Sequence, residues 1–370
     1  MTRGEKRVVW EIAATFIGAV VGAGFASGQE LSQFFLGYGA AGRKGIFFVG
    51  ILFALWAAGV LELSARRSLV SYPAYLTFLL GRAGSLCFGS VITIYLFCAA
   101  FIMLSAGNSL FSEHLGAPAG TGGFLTGLVV LAVLWGGLES LITFNVILIP
   151  LKFLICTALC LFALKTGPLF PGGEGQIGPL VPHWIEAAFL YAGFNMLGAT
   201  VVLVPLSHRG EGRVRLAGAA LGGFGLTLFA LILFQILLSF RELAAGREVP
   251  LLFVAGLVHP GLKYAYFLVL WASLLSTAIV SFYGVATRLA GLLPYRAALL
   301  LVLAAGLFFA RYRFSFLVRT VYPIFGGIGL ILLVPLVLCL LEGPLRKKDL
   351  LRKMTKKGFF PAWWNKISRR

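Results

Sequence analysis

The stretch Gly18-Ala-Val-Val-Gly22-Ala-Gly24-Phe-Ala-Ser27-Gly28-Gln29-Glu30 decides how this chain must fold. It sits inside an apolar run, yet it carries four glycines within eleven residues and ends on an amide and a carboxylate. Each glycine weakens a helix interior by about 1 kcal/mol relative to alanine, and Gln29 and Glu30 are costly against lipid. A helix that breaks near 22–27 and restarts before Gln33 accommodates both facts, provided the freed N–H and C=O groups face protein or a wet cavity. The Gly18/Gly22 pair also suits close helix packing, but packing gives Ser27, Gln29 and Glu30 no role at membrane depth.

The rest of the chain sets that run in a membrane. Of 370 residues, 59% are apolar and 12% are charged, with a mean hydropathy of +0.95. A soluble chain carries about 25% charged residues, so this one cannot cover a water-facing surface. Apolar stretches of about 20 residues recur throughout, the length of a membrane-crossing helix, and the short alternating segments of a membrane barrel are absent. The fold class expected is therefore an all-α polytopic membrane protein. Apolar runs bounded by charge, Gly and Pro give ten spans, at 8–37, 44–65, 85–112, 122–139, 142–165, 183–206, 214–240, 262–288, 295–310 and 315–341. The stretch from Arg241 to His259 reads as an external segment with short helices of its own.

The net charge of +18 does not point to nucleic acid, because ten of the 31 Lys and Arg lie between Arg346 and Arg370 and most others flank apolar runs. That is the pattern of topology signals and of contact with anionic lipid. With a cytoplasmic N-terminus, 22 basic residues fall inside and 9 outside, or 12 and 9 without the tail. Lys152 is counted among the inside ones. The expectation is an integral protein of the bacterial cytoplasmic membrane with both termini in the cytoplasm, without a cleavable signal peptide. Residues 342–370 form a basic tail interleaved with Phe359, Phe360, Trp363 and Trp364, which suits an interfacial helix on the inner leaflet or a disordered topology anchor.

Span six holds a second glycine-rich stretch, Tyr191-Ala-Gly193-Phe194-Asn195-Met-Leu-Gly198, closed by Pro205. Span one opens the first five spans and span six the next five. Broken helices at matching positions of two halves mark a transporter site at the bilayer midplane. The expected domain plan is a transporter domain over 1–341, with five-helix repeats at 8–165 and 183–341.

The run Val21-Gly-Ala-Gly-Phe-Ala-Ser-Gly-Gln-Glu30, with Gln33-Phe-Phe and Tyr38-Gly39, resembles the start of the YkvI-like bacterial membrane proteins. That family is similar to the amino acid–polyamine–organocation superfamily, whose fold is the LeuT-type five-plus-five inverted repeat with helices one and six broken. The resemblance implies ion-coupled transport of a small solute, an amino acid or amine, by alternating access. It places the solute between two segments. One is Gly22, Ala23, Gly24, Phe25, Ala26, Ser27 and Gly28, followed by Glu30. The other is Tyr191, Gly193, Phe194 and Asn195, with Tyr95 of span three as a wall. It also implies a sodium ion between the carbonyls of Gly18 and Val21 and the hydroxyls of Ser273, Ser276 and Thr277. Oxygen-only ligands suit a hard cation, although such hydroxyls also bond back to their own helix. A sensor or channel-like protein of the same fold is the alternative reading.

Two charged residues bear on coupling. Lys152, after Pro150 in span five, either takes part in a proton cycle from a buried position or reaches the headgroups along its aliphatic stem. Glu30 either binds a substrate amine, carries a proton, or caps the restarted half-helix. Asn108, Glu139, Asn145 and Gln235 glue helices, and Glu62 with Arg66 is an (i, i+4) pair.

Other motifs lead nowhere. Gly37-Tyr-Gly39-Ala-Ala-Gly42 matches GxGxxG but joins two spans, so it reads as a turn. The five cysteines lie in apolar runs without His or carboxylates at metal-ligand spacing, and read as small buried apolar residues. No enzyme motif, cofactor site or metal framework is expected apart from the implied sodium.

Overall fold

The computed structural model describes residues 1–166, 178–241, 249–310 and 323–341. The tail from 342 onward and the first eight residues of the expected tenth span lie outside the described residues. The first span is helix α1 (Arg3–Val20), a single turn α2 (Ala23–Ser27) and α3 (Gln29–Phe34). A 3-10 segment (Leu36–Ala41) leads into α4 (Gly42–Arg66), so the GxGxxG match is a connection between spans. Then come α5 (Tyr72–Leu115), α6 (Thr121–Leu134), α7 (Gly137–Thr166), α8 (Trp184–Leu206) and α9 (Gly212–Ser239). The order finishes with α10 (Pro250–Val258), α11 (Pro260–Leu289), α12 (Tyr295–Phe309) and α13 (Pro323–Leu341).

Among the described residues, seven helices are long and apolar enough to cross a membrane, and α6 and α12 are shorter apolar helices. The span boundaries read from sequence move most at two places. The fourth span stops at Leu134, because Gly137 takes a left-handed φ of 70° and starts the next helix. Helix α5 starts earlier than the third span. Gly81 (φ 74°, ψ 175°) breaks its regularity and separates a short leading segment from the crossing part.

The helices sort into two groups. Helix α1 packs on α9, and α4 packs on both α8 and α9; separately, α5 packs on α6 and α11, and α11 on α12. The most central helices are α8 and α11, whose apolar windows are 83% and 72% buried, against 28% for α7 and for α13. A helix apolar on all sides belongs inside, and α1 is likewise buried from Ile12 to Val20. Helix α7 turns only one face inward, the face bearing Asn145, Lys152 and Cys156. Cysteine burial is mixed: Cys156 is buried, Cys98, Cys160 and Cys339 are half-buried, and Cys87 is exposed on its apolar helix.

One end of the molecule is tied by charge. Arg209, in the α8–α9 turn, donates to Glu11 of α1 at 2.8 Å and to Glu139 at the start of α7. Burial works against the Arg209 charge, but its hydrogen bonds to Glu139 and Glu11 outweigh it and raise its pKa. Arg7 adds a bond to Glu11 at 2.9 Å. Glu62 bonds Arg66 at 2.8 Å and Arg215 of α9 at 2.9 Å, so that pair also joins helices. Glu139 therefore belongs to a cross-helix ion network. Asn108 accepts from Gly123 N–H at 2.6 Å and Gln235 accepts from Arg43 at 2.8 Å, both joining neighbouring segments.

Candidate functional site

Span one breaks where its sequence demands. Gly22 N–H donates back to Val20 O at 2.9 Å across Val21 (φ −78°, ψ 79°). This is the geometry of an inverse γ-turn. Gly22 itself is extended, and Gly28 ends α2 in the left-handed region at φ 84°. The break's freed groups are met locally and across the fold. Ser27 Oγ donates to Gly24 O at 3.1 Å and accepts from Gln29 N–H at 3.3 Å, and Tyr266 of α11 donates to Ala26 O at 2.7 Å.

Span six is the correction. Its expected unwinding over Tyr191–Gly198 is absent: α8 is one continuous helix from Trp184 to Leu206. Gly193 serves packing instead. A Cβ on Gly193 would collide with the carbonyl of Gly326 on α13, and one on Gly329 would collide with the carbonyl of Gly193. Asn195 Nδ2 donates to Tyr191 O at 3.0 Å, back along its own helix.

A small cavity lies beside the break. Its walls are Ala19, Val20, Gly22 and Glu30 of span one, Tyr95, Leu96 and Ala99 of α5, Phe194, Asn195 and Gly198 of α8, and Thr277, Val280 and Ser281 of α11. Water-sized centres fit over only about 20 Å³, so the cavity holds about one water molecule and must widen for a solute. Tyr95 covers it: its hydroxyl donates to Phe194 O at 3.2 Å, and its ring lies 4.7 Å from that of Phe325 on α13.

Among the described residues, Glu30 brings the single carboxyl group on these walls. It is 3% exposed, and its Oε2 accepts from Tyr191 Oη at 3.1 Å. Its Oε1 lies against Gly24, where a Cβ would collide with it. Tyr191 in turn packs on Phe34, Phe35 and Phe194, with ring centroids 5.2–5.3 Å apart.

The structure thus gathers Gly22, Glu30, Tyr95, Phe194 and Asn195 around one cavity, with Tyr191 holding Glu30 from behind. Ala23, Gly24, Phe25, Ala26, Ser27 and Gly28 are not on its walls. Phe25 stacks on Phe229 at 5.7 Å, and Gly28 abuts Leu251 and Leu237. Gly193 faces α13. Sequence reading missed Ala19, Val20, Leu96, Ala99, Gly198, Val280 and Ser281. Helical spacing held a signal for two of them: Ala99 is one turn beyond Tyr95, and Ser281 one turn beyond Thr277.

The expected sodium ligands are arranged differently. Gly18 packs against Asn145 of α7, whose Oδ1 is buried without a hydrogen bond. Ser273 Oγ donates to Val269 O at 2.8 Å and Ser276 Oγ to Ala272 O at 3.0 Å, back-bonds of the kind such hydroxyls make. Thr277 Oγ1 faces Gly22 and has no hydrogen bond. Lys152 Nζ donates to Ser276 Oγ at 2.8 Å, with the residue 1% exposed. The side chain therefore does not reach the headgroups, and its place in the inside charge tally falls away.

This arrangement, a broken first span against a central α8 and α11, is the LeuT-type fold. The structure superposes on a nucleobase–cation symporter, Mhp1, in a closed conformation with bromovinylhydantoin, at TM-score 0.62 and 13% identity over 87% of this chain and 74% of that one. It matches a Na+-coupled sialic acid symporter in its substrate-bound outward-open state at TM-score 0.66 and 11% identity, over 87% and 75% of the two chains. MhsT in complex with L-phenylalanine matches at TM-score 0.58 and 18% identity, over 82% and 78%.

In sequence, the chain is a homologue of the uncharacterized membrane protein YkvI of Bacillus subtilis, 27% identical over 86% of this chain and 92% of the relative. The uncharacterized protein YyaD of the same organism is also 27% identical, over 90% and 96%. The likeness first read in span one therefore extends across an integral membrane protein. No family model matches the chain.

Proposed function

We propose that the chain is a secondary active transporter of a small amine-bearing solute, coupled to protons, with the solute held at the cavity beside Gly22 and Glu30. One observation carries the coupling: Lys152 Nζ bonds Ser276 in the region where the resemblance puts sodium. An ammonium there supplies the positive charge that a bound cation would bring. Lysine also exchanges that charge for a proton when its surroundings change. The orphan Thr277 Oγ1, next in sequence to Ser276, faces Gly22 at the break. Residues 8–165 and 183–341 serve as the two repeats, and both termini lie in the cytoplasm of a bacterial cell, with the basic tail against anionic lipid. The Na+-coupled sialic acid symporter among the fold neighbours keeps sodium as the competing driving ion.

The test is uptake into proteoliposomes of radiolabelled amines and amino acids, scored against protein-free liposomes. Under an imposed pH gradient, saturable accumulation is expected in either sodium or potassium, and Lys152→Gln is expected to keep binding while losing gradient-driven accumulation. A strict sodium requirement defeats proton coupling. Ligand binding without uptake favours the sensor reading, and flux that does not saturate favours a channel.

A further inference from the structure

We propose that the cavity selects a small organic ammonium without a carboxylate, so that amines are ligands and the corresponding α-amino acids are not. This rests on the reading above only in taking the cavity as the solute site.

The argument is one of charge and available partners. Among the described residues, Glu30 is the only ionisable acid or base on the cavity walls besides the phenol of Tyr95. Tyr191 occupies Oε2, which leaves Oε1 as the acceptor beside Gly22 and Gly24. A buried carboxylate needs a positive or donor partner. The chain supplies Tyr191 alone among the described residues, so the ligand must bring the rest.

A ligand carboxylate would find the opposite. Among the described residues no Lys, Arg or His lines the cavity. The Tyr95 hydroxyl is committed to Phe194 O and one Asn195 amide N–H to Tyr191 O, so among the described residues a carboxylate would meet neutral donors such as Thr277 Oγ1 and no cation. The backbone at the break already faces the carboxylate of Glu30, because Gly24 leaves just the space that Oε1 fills. A second carboxylate would enter beside the Glu30 carboxyl in a low-dielectric site, where two such groups cannot both ionise cheaply. Ala19, Val20, Leu96, Ala99 and Val280 offer an apolar wall for a short hydrocarbon.

The experiment uses purified full-length protein and two matched pairs, isobutylamine with valine and isoamylamine with leucine, read by calorimetry and thermal stabilisation near pH 7. Both amines are expected to bind, with each amino acid about 100-fold weaker, the scale of like-charge repulsion at a few Å in a protein interior. Valine methyl ester, which loses the negative charge, is expected to bind again. Glu30→Gln is expected to lose amine affinity about 100-fold on the same Coulomb scale.

Valine binding as tightly as isobutylamine overturns the proposal, and so does amine binding unchanged in Glu30→Gln. If Glu30→Gln does not fold, the matched pairs on the native protein still decide. Amine binding without transport supports this inference while defeating the transporter reading. Saturable valine uptake with no amine binding does the reverse.

Discussion

Spans one and six are both interrupted by glycine in sequence, yet one breaks and the other runs straight. In span one, Gly22 and Gly28 take conformations that end helices, and side chains supply partners for the freed groups: Ser27 from within, Tyr266 from α11. In span six, Gly193 keeps helical geometry and lets α13 approach backbone to backbone through Gly326 and Gly329. The difference teaches that glycine alone does not unwind a membrane helix. A break needs glycine that leaves helical geometry as well as hydrogen-bonding substitutes for the lost ladder; on span six Tyr95 bonds Phe194 O, and Asn195 and Thr200 bond back along the helix, while the ladder itself stays intact.

The comparison can be broken most forcefully at the seam. Gly193→Val places a branched side chain against the Gly326 carbonyl and is expected to destabilise by about 3 kcal/mol, the upper range for overpacking. Thermal unfolding in detergent checks it, and a stable Gly193→Val protein would mean that α13 does not sit so close. Gly28→Ala comes next. Its φ of 84° is left-handed and Leu251 lies 2.9 Å from the added carbon, so a loss of about 2 kcal/mol is expected. Tyr266→Phe removes the hydroxyl that serves Ala26 O and is expected to cost about 1 kcal/mol. Hydrogen exchange at residues 23–30 should rise in this variant and stay unchanged across α8.

These expectations explain what the sequence disclosed and what it withheld. The break in span one was legible because its determinants are local: four glycines, a serine that caps and a buried acid follow one another within a dozen residues. The seam was not legible from span six alone. Its partner is Gly326-Gly-Ile-Gly329 in span ten, and only the pairing shows that Gly193 faces a backbone. Lys152 was ambiguous for a similar reason. Helix α7 is 28% buried over its apolar window, so the odds favoured an outward lysine, and the deciding contact, Ser276, lies on another helix. Of the missed cavity walls on α5 and α11, one-turn spacing from Tyr95 and Thr277 pointed only to Ala99 and Ser281. The back-bonding of Ser273 and Ser276 depends on side-chain rotamers, which residue type alone does not set.

The finest probe of the comparison is Gly198→Ala. Among the described residues nothing lies within 4 Å of a Cβ built there. What remains in the unliganded protein is backbone preference, which favours alanine in a helix by up to about 1 kcal/mol. Gly198 also lines the cavity, so with an amine bound the methyl group would meet the ligand as well, and the unliganded protein gives the clean reading. If α8 is a rod at this point, thermal unfolding without ligand should show the variant stabilised by that amount. A destabilised variant would mean that the backbone at Gly198 is not helical. Stabilisation is expected, because the seam between Gly193 and Gly326 holds the upstream half of α8 to α13, and Asn195 reinforces the helix between the two glycines.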